Sequence, residues 1–339
     1  MTSSHGNHVA VFGAYGHTGR FIARELVARG LPPILSGRSA AQLATLASEA
    51  PGAELRPASV DDPSSLDRML AGAAVVINVA GPFIDTATPI IEAALRERAH
   101  YLDVTAEQRA TIAAFHRFDS TARDRGIVIL PAMAFFGGLG DLLITAAIDD
   151  WTDADAVELA IGLDTRQPTV GTRRRGERNT GPRFEMAGGR LEEITSESDP
   201  QVWTFPAPFG EQEVTRKHFC ETILVAQHLR VRDFRAYLNL APLRDLHDPA
   251  TPPPLPADAS GRSAQRFVMD AIAWRGSTTR RATAAGRDIY ATAAPLLGEA
   301  VARLLARRNG ASGVFAPGAL FDARRFLAAL EPHLSLSFD

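Results

Sequence analysis

The chain contains a single cysteine, Cys220, and a single lysine, Lys217, among 339 residues. One thiol cannot form an intramolecular disulfide or a multi-thiolate metal site. The His-Glu-x-x-His zinc motif is also absent, so we expect no metal centre. The scarcity of cysteine is typical of a reducing compartment, and we predict a cytoplasmic protein.

The chain also lacks long apolar runs and any strong excess of charge. No run approaches the ~18 apolar residues that a membrane-spanning helix needs, and the N-terminal segment has no apolar core of a signal peptide. The formal net charge of −3 provides no basic field for nucleic acid or an anionic membrane. We therefore expect a small-molecule partner, with no nucleic acid and no membrane.

Several catalytic motifs are missing as well. There is no G-K-[ST] of a Walker A loop and no G-x-S-x-G nucleophile elbow. A Tyr-x-x-x-Lys proton-transfer pair is excluded, because the residues four positions after the tyrosines are Gly19, Thr105, Ala241 and Ala294.

What the first 130 residues do contain is a regular alternation of strand and helix patterns. Buried-type strands are predicted at 8–12, 33–36, 54–60, 75–79, 100–104 and 126–130. Helices are predicted after the first strand and at 40–50, 63–70, 89–98 and 106–125. This pattern predicts an α/β fold with a Rossmann doubly wound parallel sheet, and residues 1–130 as a dinucleotide-binding domain.

The pattern changes after Pro131, which predicts a second α+β domain over residues 131–285. Strands alternating in polarity are predicted at 156–163, 183–187, 190–194, 234–240 and 267–276, as in a half-exposed antiparallel sheet. A proline-rich connector, 251–256, follows the fourth of these strands, and helices are predicted at 291–308 and 323–330. The exposed sheet face and edges make this domain a candidate surface for a homodimer.

Glycines at every third position lie between the first strand and the first helix. The segment Gly13-Ala-Tyr-Gly-His-Thr-Gly19 allows a tight turn and a close backbone approach to a pyrophosphate at the helix start. We assign cofactor contacts to Gly13, Tyr15, Gly16, His17, Thr18 and Gly19.

The second strand ends in Ser36-Gly-Arg-Ser39, where an NAD enzyme usually carries a carboxylate for the ribose hydroxyls. Arg38, with the hydroxyls of Ser36 and Ser39, instead suits the 2′-phosphate of NADP, since guanidinium binds phosphate in a fork. The alternative is that Arg38 is a solvated residue at the start of a helix.

Two further turns are candidate borders of the cofactor. Asp61 follows the third strand and either caps the next helix or borders the adenine. The small residues Ala80 and Gly81, with Pro82, follow the fourth strand and either line the cofactor or simply form a turn.

The chain resembles the saccharopine dehydrogenase-like oxidoreductases, including the trans-acting enoyl reductases. The resemblance rests on the segments 13–20, 36–38, 75–83, 101–105, 130–132, 171–172, 286–290 and 313–318. It implies a C-terminal segment, 286–339, that returns to the Rossmann domain, and a second domain that supplies substrate contacts. Ala106-Glu107 and Phe135-Phe136-Gly137 depart from the Gly-Glu and Phe-Asp-Ser typical of this family.

A hydride-transferring enzyme needs a proton donor beside a polarised double bond. Asp103 and Glu107 follow the fifth strand and are candidate catalytic acids, because burial would raise a carboxyl pKa. The alternative is structural, with Asp103 capping a turn and Glu107 opening a helix. His218 is a further candidate donor.

The densest basic stretch, 171–178, is a predicted loop whose arginines either bind an anionic substrate or are solvated. We assign Thr172, Arg173 and His218 to the substrate. The sequence thus predicts an NADP-dependent oxidoreductase that transfers hydride to a C=N or C=C bond of a small or carrier-bound metabolite. A non-catalytic NADP-binding redox sensor is the alternative.

Overall fold

A computed structural model describes residues 7–178, 180–194, 199–306 and 310–339, without the side chains of Arg175 and Glu177. The elements follow in the order β1 (Val9–Phe12), α1 (His17–Ala28), β2 (Pro33–Ser36), α2 (Ala40–Leu46), β3 (Glu54–Leu55), α3 (Pro63–Leu70), β4 (Val75–Asn78), α4 (Phe83–Glu97), β5 (His100–Asp103), α5 (Gln108–Arg125), β6 (Val128–Leu130), α6 (Gly140–Ile148), β7 (Ala154–Leu163), α7 (Val170–Arg178), β8 (Phe184–Ala187), β9 (Arg190–Glu193), β10 (Gln201–Phe205), β11 (Gly210–Lys217), α8 (Glu221–His228), β12 (Val231–Asn239), α9 (Ala241–His247), β13 (Arg266–Arg275), β14 (Thr278–Arg287), α10 (Ala293–Ala306), β15 (Gly313–Val314), α11 (Pro317–Leu320), α12 (Ala323–Ala328) and β16 (Leu334–Phe338). An irregular turn, Phe135–Leu139, precedes α6. None of the helices within these described ranges is long and apolar enough to cross a membrane.

The chain divides into two compact units. Unit 1 comprises Met1–Ala134 and Ala293–Phe315, and unit 2 comprises Phe135–Thr292 and Ala316–Asp339. The expectation that all of 286–339 returns to the Rossmann domain is therefore wrong in part. Helix α10 packs on α1 and β15 pairs with β6, whereas β16 adds to the sheet of unit 2.

Unit 1 is built on a seven-stranded sheet with the order β15-β6-β5-β4-β1-β2-β3. All of its strand pairs are parallel. Strands β1 to β6 are arranged in the order of a Rossmann fold, which confirms the predicted fold class. Strands β1 and β4 are buried along their whole length, as expected for apolar strands covered on both faces.

Helix α4 begins six residues earlier than the sequence pattern indicates. Proline favours the first turn of a helix, so a start at Pro89 is expected. In the structure Pro89 lies inside α4, and the helix starts at Phe83. The carboxylate of Glu107 accepts hydrogen bonds from the N–H groups of Phe83 and Ile84, at 3.0 and 2.9 Å. This contact from a distant loop stabilises a helix start that local sequence does not encode.

Unit 2 contains a sheet with the order β10-β11-β12-β7-β13-β14-β16, with the β8–β9 hairpin attached to β12. The sheet is mixed, because β12 and β7 run parallel while its other pairs are antiparallel. The prediction of an antiparallel sheet is wrong for this one pair of strands, β7 and β12. The sequence pattern also missed β10, β11, β14 and β16; β11 and β14 consist mostly of polar or small residues.

A buried group of ionisable side chains holds α6 to α8 within unit 2. Nε2 of His228 lies 2.8 Å from the carboxylate of Asp141, which also accepts a hydrogen bond from the N–H of Gly318 at 2.7 Å. Glu221 is completely buried and packs against Gly140, where a Cβ atom would lie 2.5 Å from its Cγ. Burial raises the pKa of Glu221 to about 8, and the charge of Asp141 acts in the same direction.

We predict that Glu221 makes the protein less stable as the pH rises. The unfolded chain loses the Glu221 proton near its ordinary pKa of 4.5, whereas the folded chain keeps it until about pH 8. The free energy of unfolding should therefore fall across this interval. Glu221→Gln mimics the protonated form and should melt at a higher temperature than the wild type at pH 8, with a smaller difference at pH 5.

Thermal unfolding at both pH values measures this effect, and Glu213→Gln, on the exposed side of β11, is the matched control. The buried pair of His228 and Asp141 is present in the wild type and in both variants. A difference in melting temperature between the proteins therefore reports the effect of Glu221. An equal melting difference at pH 5 and pH 8 would contradict the prediction.

Candidate cofactor-binding site

The turn between β1 and α1 is fixed to the end of β2 by backbone hydrogen bonds. The N–H groups of Gly13 and Ala14 donate to the carbonyl of Ser36, at 2.8 and 3.0 Å. Gly13 has a φ of +91°, a conformation that favours glycine. A Cβ atom there would lie 3.0 Å from the backbone nitrogen of Ala80, so the turn also packs directly on the chain after β4.

The other two glycines of this turn have different roles. A Cβ atom at Gly19 would lie 2.5 Å from the carbonyl oxygen of Gly13, so only glycine lets α1 pack this closely on the turn. Gly16 is exposed and has a φ of −68°, which any residue can adopt. The fold therefore requires Gly19, whereas the exposed Gly16 leaves room for something outside the chain.

The start of α1 is suited to an anion. Gly16 is the N-cap residue and has no side chain to cap the helix, and the first turn contains no acidic residue. The positive end of the helix dipole and its N–H groups are therefore not neutralised by a carboxylate there, as a pyrophosphate site requires. His17 and Thr18 begin this turn, and the His17 ring packs edge-on against Phe21.

The end of β2 lies beside the ring of Tyr15. A Cβ atom at Gly37 would lie 2.5 Å from Cε1 of Tyr15, so Gly37 is needed for this aromatic contact. Ser36 is completely buried, and its hydroxyl has no hydrogen-bond partner among the described residues. The prediction that this hydroxyl contacts a phosphate at the surface is therefore not supported, and Ser36 acts through its carbonyl instead.

Arg38 and Ser39 follow at the surface. Arg38 is exposed and has neither an ion pair nor a hydrogen bond to any residue that the structure describes. Ser39 is the N-cap of α2, and its hydroxyl accepts a hydrogen bond from Gln42 N–H at 3.3 Å. The guanidinium of Arg38 is thus available to a phosphate, while the Ser39 hydroxyl already has a structural partner.

Of the two roles considered for Asp61, capping of α3 is wrong. Asp62 is the N-cap residue, and its carboxylate accepts from Ser65 N–H at 3.2 Å. The exposed Asp61 instead lies 3.4 Å from the hydroxyl of Ser59. A position beside the adenine remains a prediction.

The turn after β4 is set by a polar network that sequence reasoning missed. Asn78 is buried; its amide oxygen accepts from Ala80 N–H, and its Nδ2 donates to the hydroxyls of Thr86 and Tyr101. The Thr86 hydroxyl donates to the carbonyl of Ala80 at 2.6 Å. These bonds fix the turn in which Ala80 lies beside Gly13, and the exposed Gly81 and half-buried Pro82 follow it. The sequence feature that could have revealed this network is Asn78, a polar residue at the end of the otherwise apolar strand β4.

Asp103 continues this network at the end of β5. Its carboxylate accepts from the Tyr101 hydroxyl at 2.9 Å and from the N–H groups of Thr105 and Ala132, at 2.9 and 2.8 Å. Ala132 has a φ of +56°, so the carboxylate stabilises a strained turn after β6. Burial is the main cause that raises the pKa of Asp103 to about 6.

The described contacts favour the structural alternative for both predicted catalytic carboxylates. Asp103 is 1% exposed and Glu107 is 3% exposed. Asp103 fixes the ends of β5 and β6, and Glu107 caps α4. Because backbone N–H groups occupy both carboxylates, the geometry does not support either as a proton donor.

In unit 2, the predicted basic loop is instead the helix α7. Arg173 donates to the carbonyls of Asp248 and Thr251, at 3.2 and 2.8 Å, so it anchors the start of the proline-rich connector. Its assignment to substrate is therefore not supported. Thr172 lies in a cluster of hydroxyl groups, and the side chain of Arg175 lies outside the described residues.

His218 is half-buried at the end of β11. Burial, together with the charges of Arg216, Arg183 and Lys217, lowers the pKa of His218 to about 4. At neutral pH the ring is therefore uncharged, and it is a poor source of the proton that sequence reasoning assigned to it.

Residues 9–130 match the family model of the saccharopine dehydrogenase NADP binding domain. This region is therefore similar to that domain. The match confirms the resemblance derived from the sequence and the prediction of an NADP-binding Rossmann domain. It covers the glycine turn, the end of β2 and the Asn78 network, which are the features that form the candidate site.

Curated relatives match over a similar region. The human saccharopine dehydrogenase-like oxidoreductase is 28% identical over 146 residues, which are 38% of this chain and 34% of that protein. The mouse protein of the same name is 27% identical over the same shares. The chain thus matches about a third of the length of these relatives.

The fold of the whole chain is similar to a solved structure. Apo saccharopine dehydrogenase (L-Glu forming) from Saccharomyces cerevisiae matches with a TM-score of 0.69 and 14% identity, covering 98% of this chain and 100% of that one. At this identity the match concerns the fold alone.

We predict that Gly16→Val prevents NADPH binding without unfolding the protein. The new side chain would occupy the exposed position where the pyrophosphate approaches α1, while φ at residue 16 suits valine. Gly19→Val is the contrasting variant, because its Cβ would lie 2.5 Å from the carbonyl oxygen of Gly13, whereas a Cβ at residue 16 would lie 3.1 Å from that oxygen. Calorimetric titration and thermal unfolding should show lost binding with little change in melting temperature for Gly16→Val, and a clear loss of stability for Gly19→Val. NADPH binding by Gly16→Val would contradict this assignment.

We also predict that Arg38→Ala reduces NADP(H) affinity by about tenfold and leaves NAD(H) affinity nearly unchanged, because one forked contact to the 2′-phosphate is lost. Titrations of both cofactors measure the change. Arg68→Ala removes another exposed arginine of unit 1 and should alter neither affinity. Equal losses for the two cofactors in Arg38→Ala would remove the basis for NADP preference.

Proposed function

We propose that the protein is an NADP-dependent oxidoreductase that reduces a C=N or C=C bond of a small or carrier-bound metabolite. The observation that carries the proposal is the glycine turn, where the start of α1 has no side-chain cap and packs on the end of β2. Arg38, which follows β2, is exposed and has no ion pair among the residues that the structure describes. When bound, NADPH supplies a hydride equivalent to an unsaturated bond.

The residues of unit 1 would hold the cofactor. The N–H groups at the start of α1 face the pyrophosphate, Arg38 binds the 2′-phosphate, and the chain at Ala80–Pro82 borders the cofactor after β4. The buried network of Asn78, Tyr101 and Asp103 holds these segments in register without taking part in the chemistry.

Substrate contacts are proposed for unit 2, with Thr172 retained from the sequence prediction. A location in the cytoplasm is also part of the proposal and rests on the near absence of cysteine. A homodimer is proposed through unit 2, whose sheet ends in the edge strands β10 and β16.

A second candidate function is an NADP-binding redox sensor without turnover. The observation that favours it is the use of Asp103 and Glu107 in backbone hydrogen bonds. Measurement of turnover separates the two functions.

We predict steady oxidation of NADPH with at least one of four probes. These are 2-methyl-1-pyrroline for imines, 2-cyclohexen-1-one for enones, pyruvate for keto acids, and crotonyl-N-acetylcysteamine for carrier-bound enoyl groups. The decrease of absorbance at the NADPH band measures the rate, and Gly16→Val is the control for cofactor-independent loss. Tight NADPH binding without turnover of any probe would favour the sensor.

A further inference from the structure

A pocket of about 660 Å³ lies in unit 2, beside the last two strands of its sheet. Residues 285–287, at the end of β14, and residues 331–336, which lead into β16, line this pocket. Its volume is within the range of about 300–1,000 Å³ that is usual for small-molecule sites. Both lining segments belong to unit 2, so the pocket is formed within this one unit.

Much of the lining is apolar. Ala285 packs against the buried cluster that contains Trp203 and Val268, and it is paired across the sheet with the exposed Ser335. Leu334, the neighbour of Ser335, is buried. An apolar group that enters the pocket is therefore removed from water against an existing apolar surface, which favours its binding.

The guanidinium of Arg262 lies at the edge of this pocket, against two of its lining residues. Its Nη1 donates to the carbonyl of Arg287 at 3.4 Å, and its Nη2 lies 3.3 Å from Nδ1 of His333. Because a guanidinium has no acceptor, Arg262 is the donor and Nδ1 of His333 accepts. The positive charge of Arg262 is thus held by a carbonyl and by an uncharged ring.

Arg262 differs from the arginines of the strands beside it in having no carboxylate partner. Those arginines form the ion pairs Arg266–Asp164, Arg281–Asp270 and Arg287–Asp258. Within the part of the chain that the structure describes, the side-chain contacts of Arg262 are the carbonyl and the ring, although the residue is half-buried. A half-buried charge without a counterion is unfavourable, and an anion from outside the chain would offset this cost.

The loop that carries Arg262 is held by hydrogen bonds. The N–H of Arg262 donates to the Ser260 hydroxyl at 3.3 Å, and its carbonyl accepts from the N–H of Ala257 at 2.8 Å. The N–H of the next residue, Ser263, donates to the buried carboxylate of Asp288 at 2.7 Å. The position of the guanidinium is therefore set before a ligand arrives, as expected of a preorganised site.

We propose that this pocket binds a carboxylate that carries a short apolar chain, with the guanidinium of Arg262 at the carboxylate and the lining at Ala285 and Leu334 beside the chain. A planar carboxylate matches the fork of a guanidinium. A monoanion is favoured over a phosphate dianion, because the exposed Glu331 lines the same pocket and repels further negative charge. The site goes beyond the reductase function proposed above and does not depend on it.

Calorimetric titration of the full chain with octanoate, below its critical micelle concentration, measures the binding. 1-Octanol carries the same chain without the charge, and inorganic phosphate carries charge without the chain. We expect saturable binding of octanoate and at least about tenfold weaker binding of 1-octanol, because the charged contact is lost. Phosphate at an equal concentration should not displace octanoate.

Three variants test the charges. Arg262→Ala should weaken octanoate binding by at least about tenfold, since the forked contact is lost. Glu331→Gln should strengthen it by about threefold at low ionic strength, and this gain should shrink as salt is added. Arg232→Ala removes an exposed arginine of β12 outside the pocket lining, and this matched control should leave the affinity unchanged.

Two further variants locate the ligand. Ser335→Trp would place an indole in the pocket from an exposed position and should abolish octanoate binding. Ser337→Trp adds the same side chain at the next exposed position of β16, outside the pocket lining, and should bind octanoate as the wild type does. Melting temperatures of all variants show whether each is folded.

Equal octanoate affinity in the wild type and Arg262→Ala would overturn the proposal, as would equal affinity for octanoate and 1-octanol. Octanoate binding by Ser335→Trp, or no saturable binding by the wild type, would also overturn it. If Arg262→Ala does not fold, Glu331→Gln decides, and a wild-type affinity in that variant at low ionic strength would contradict the assignment.

Discussion

The close approach of three backbone segments at the start of α1 is the constraint on which the candidate site depends. The turn at Gly13 bonds to the carbonyl of Ser36 and leaves α1 no room for a side chain at Gly19. A Cβ atom added at Gly13 would lie 3.0 Å from the backbone nitrogen of Ala80. Because the three segments come from β1, β2 and β4, the turn cannot move without displacing the sheet. A turn held in this way gives the start of α1 a fixed position, and a fixed site loses less entropy when it binds a ligand.

The carboxyl ends of the neighbouring strands are held by buried polar side chains rather than by apolar packing. Asn78, Tyr101 and Asp103 form a continuous network, and Glu107 extends it to the first turn of α4. Such a network is favourable only when each member is satisfied, since an unpaired buried polar group costs about 1–3 kcal/mol. The same requirement explains why carboxylates in a position typical of catalysis serve structure instead.

Burial moves two ionisable groups of unit 2 in opposite directions for one reason. Removal from water disfavours the charged form, so the pKa of Glu221 rises to about 8 while that of His218 falls to about 4. Both side chains are therefore uncharged at neutral pH.

The sequence by itself determined the α/β class with a parallel, doubly wound sheet and the position of the glycine turn, because apolar strand runs and glycine spacing are local patterns. The bounds of α3 were predicted without error, since Pro63 marks its start locally, although its cap is Asp62 and not the predicted Asp61. Only the tertiary structure decided the start of α4, the buried roles of Asp103 and Glu107, and the meeting of Thr172 with Tyr290. These features depend on contacts between residues up to 118 positions apart, which no local pattern of residues encodes.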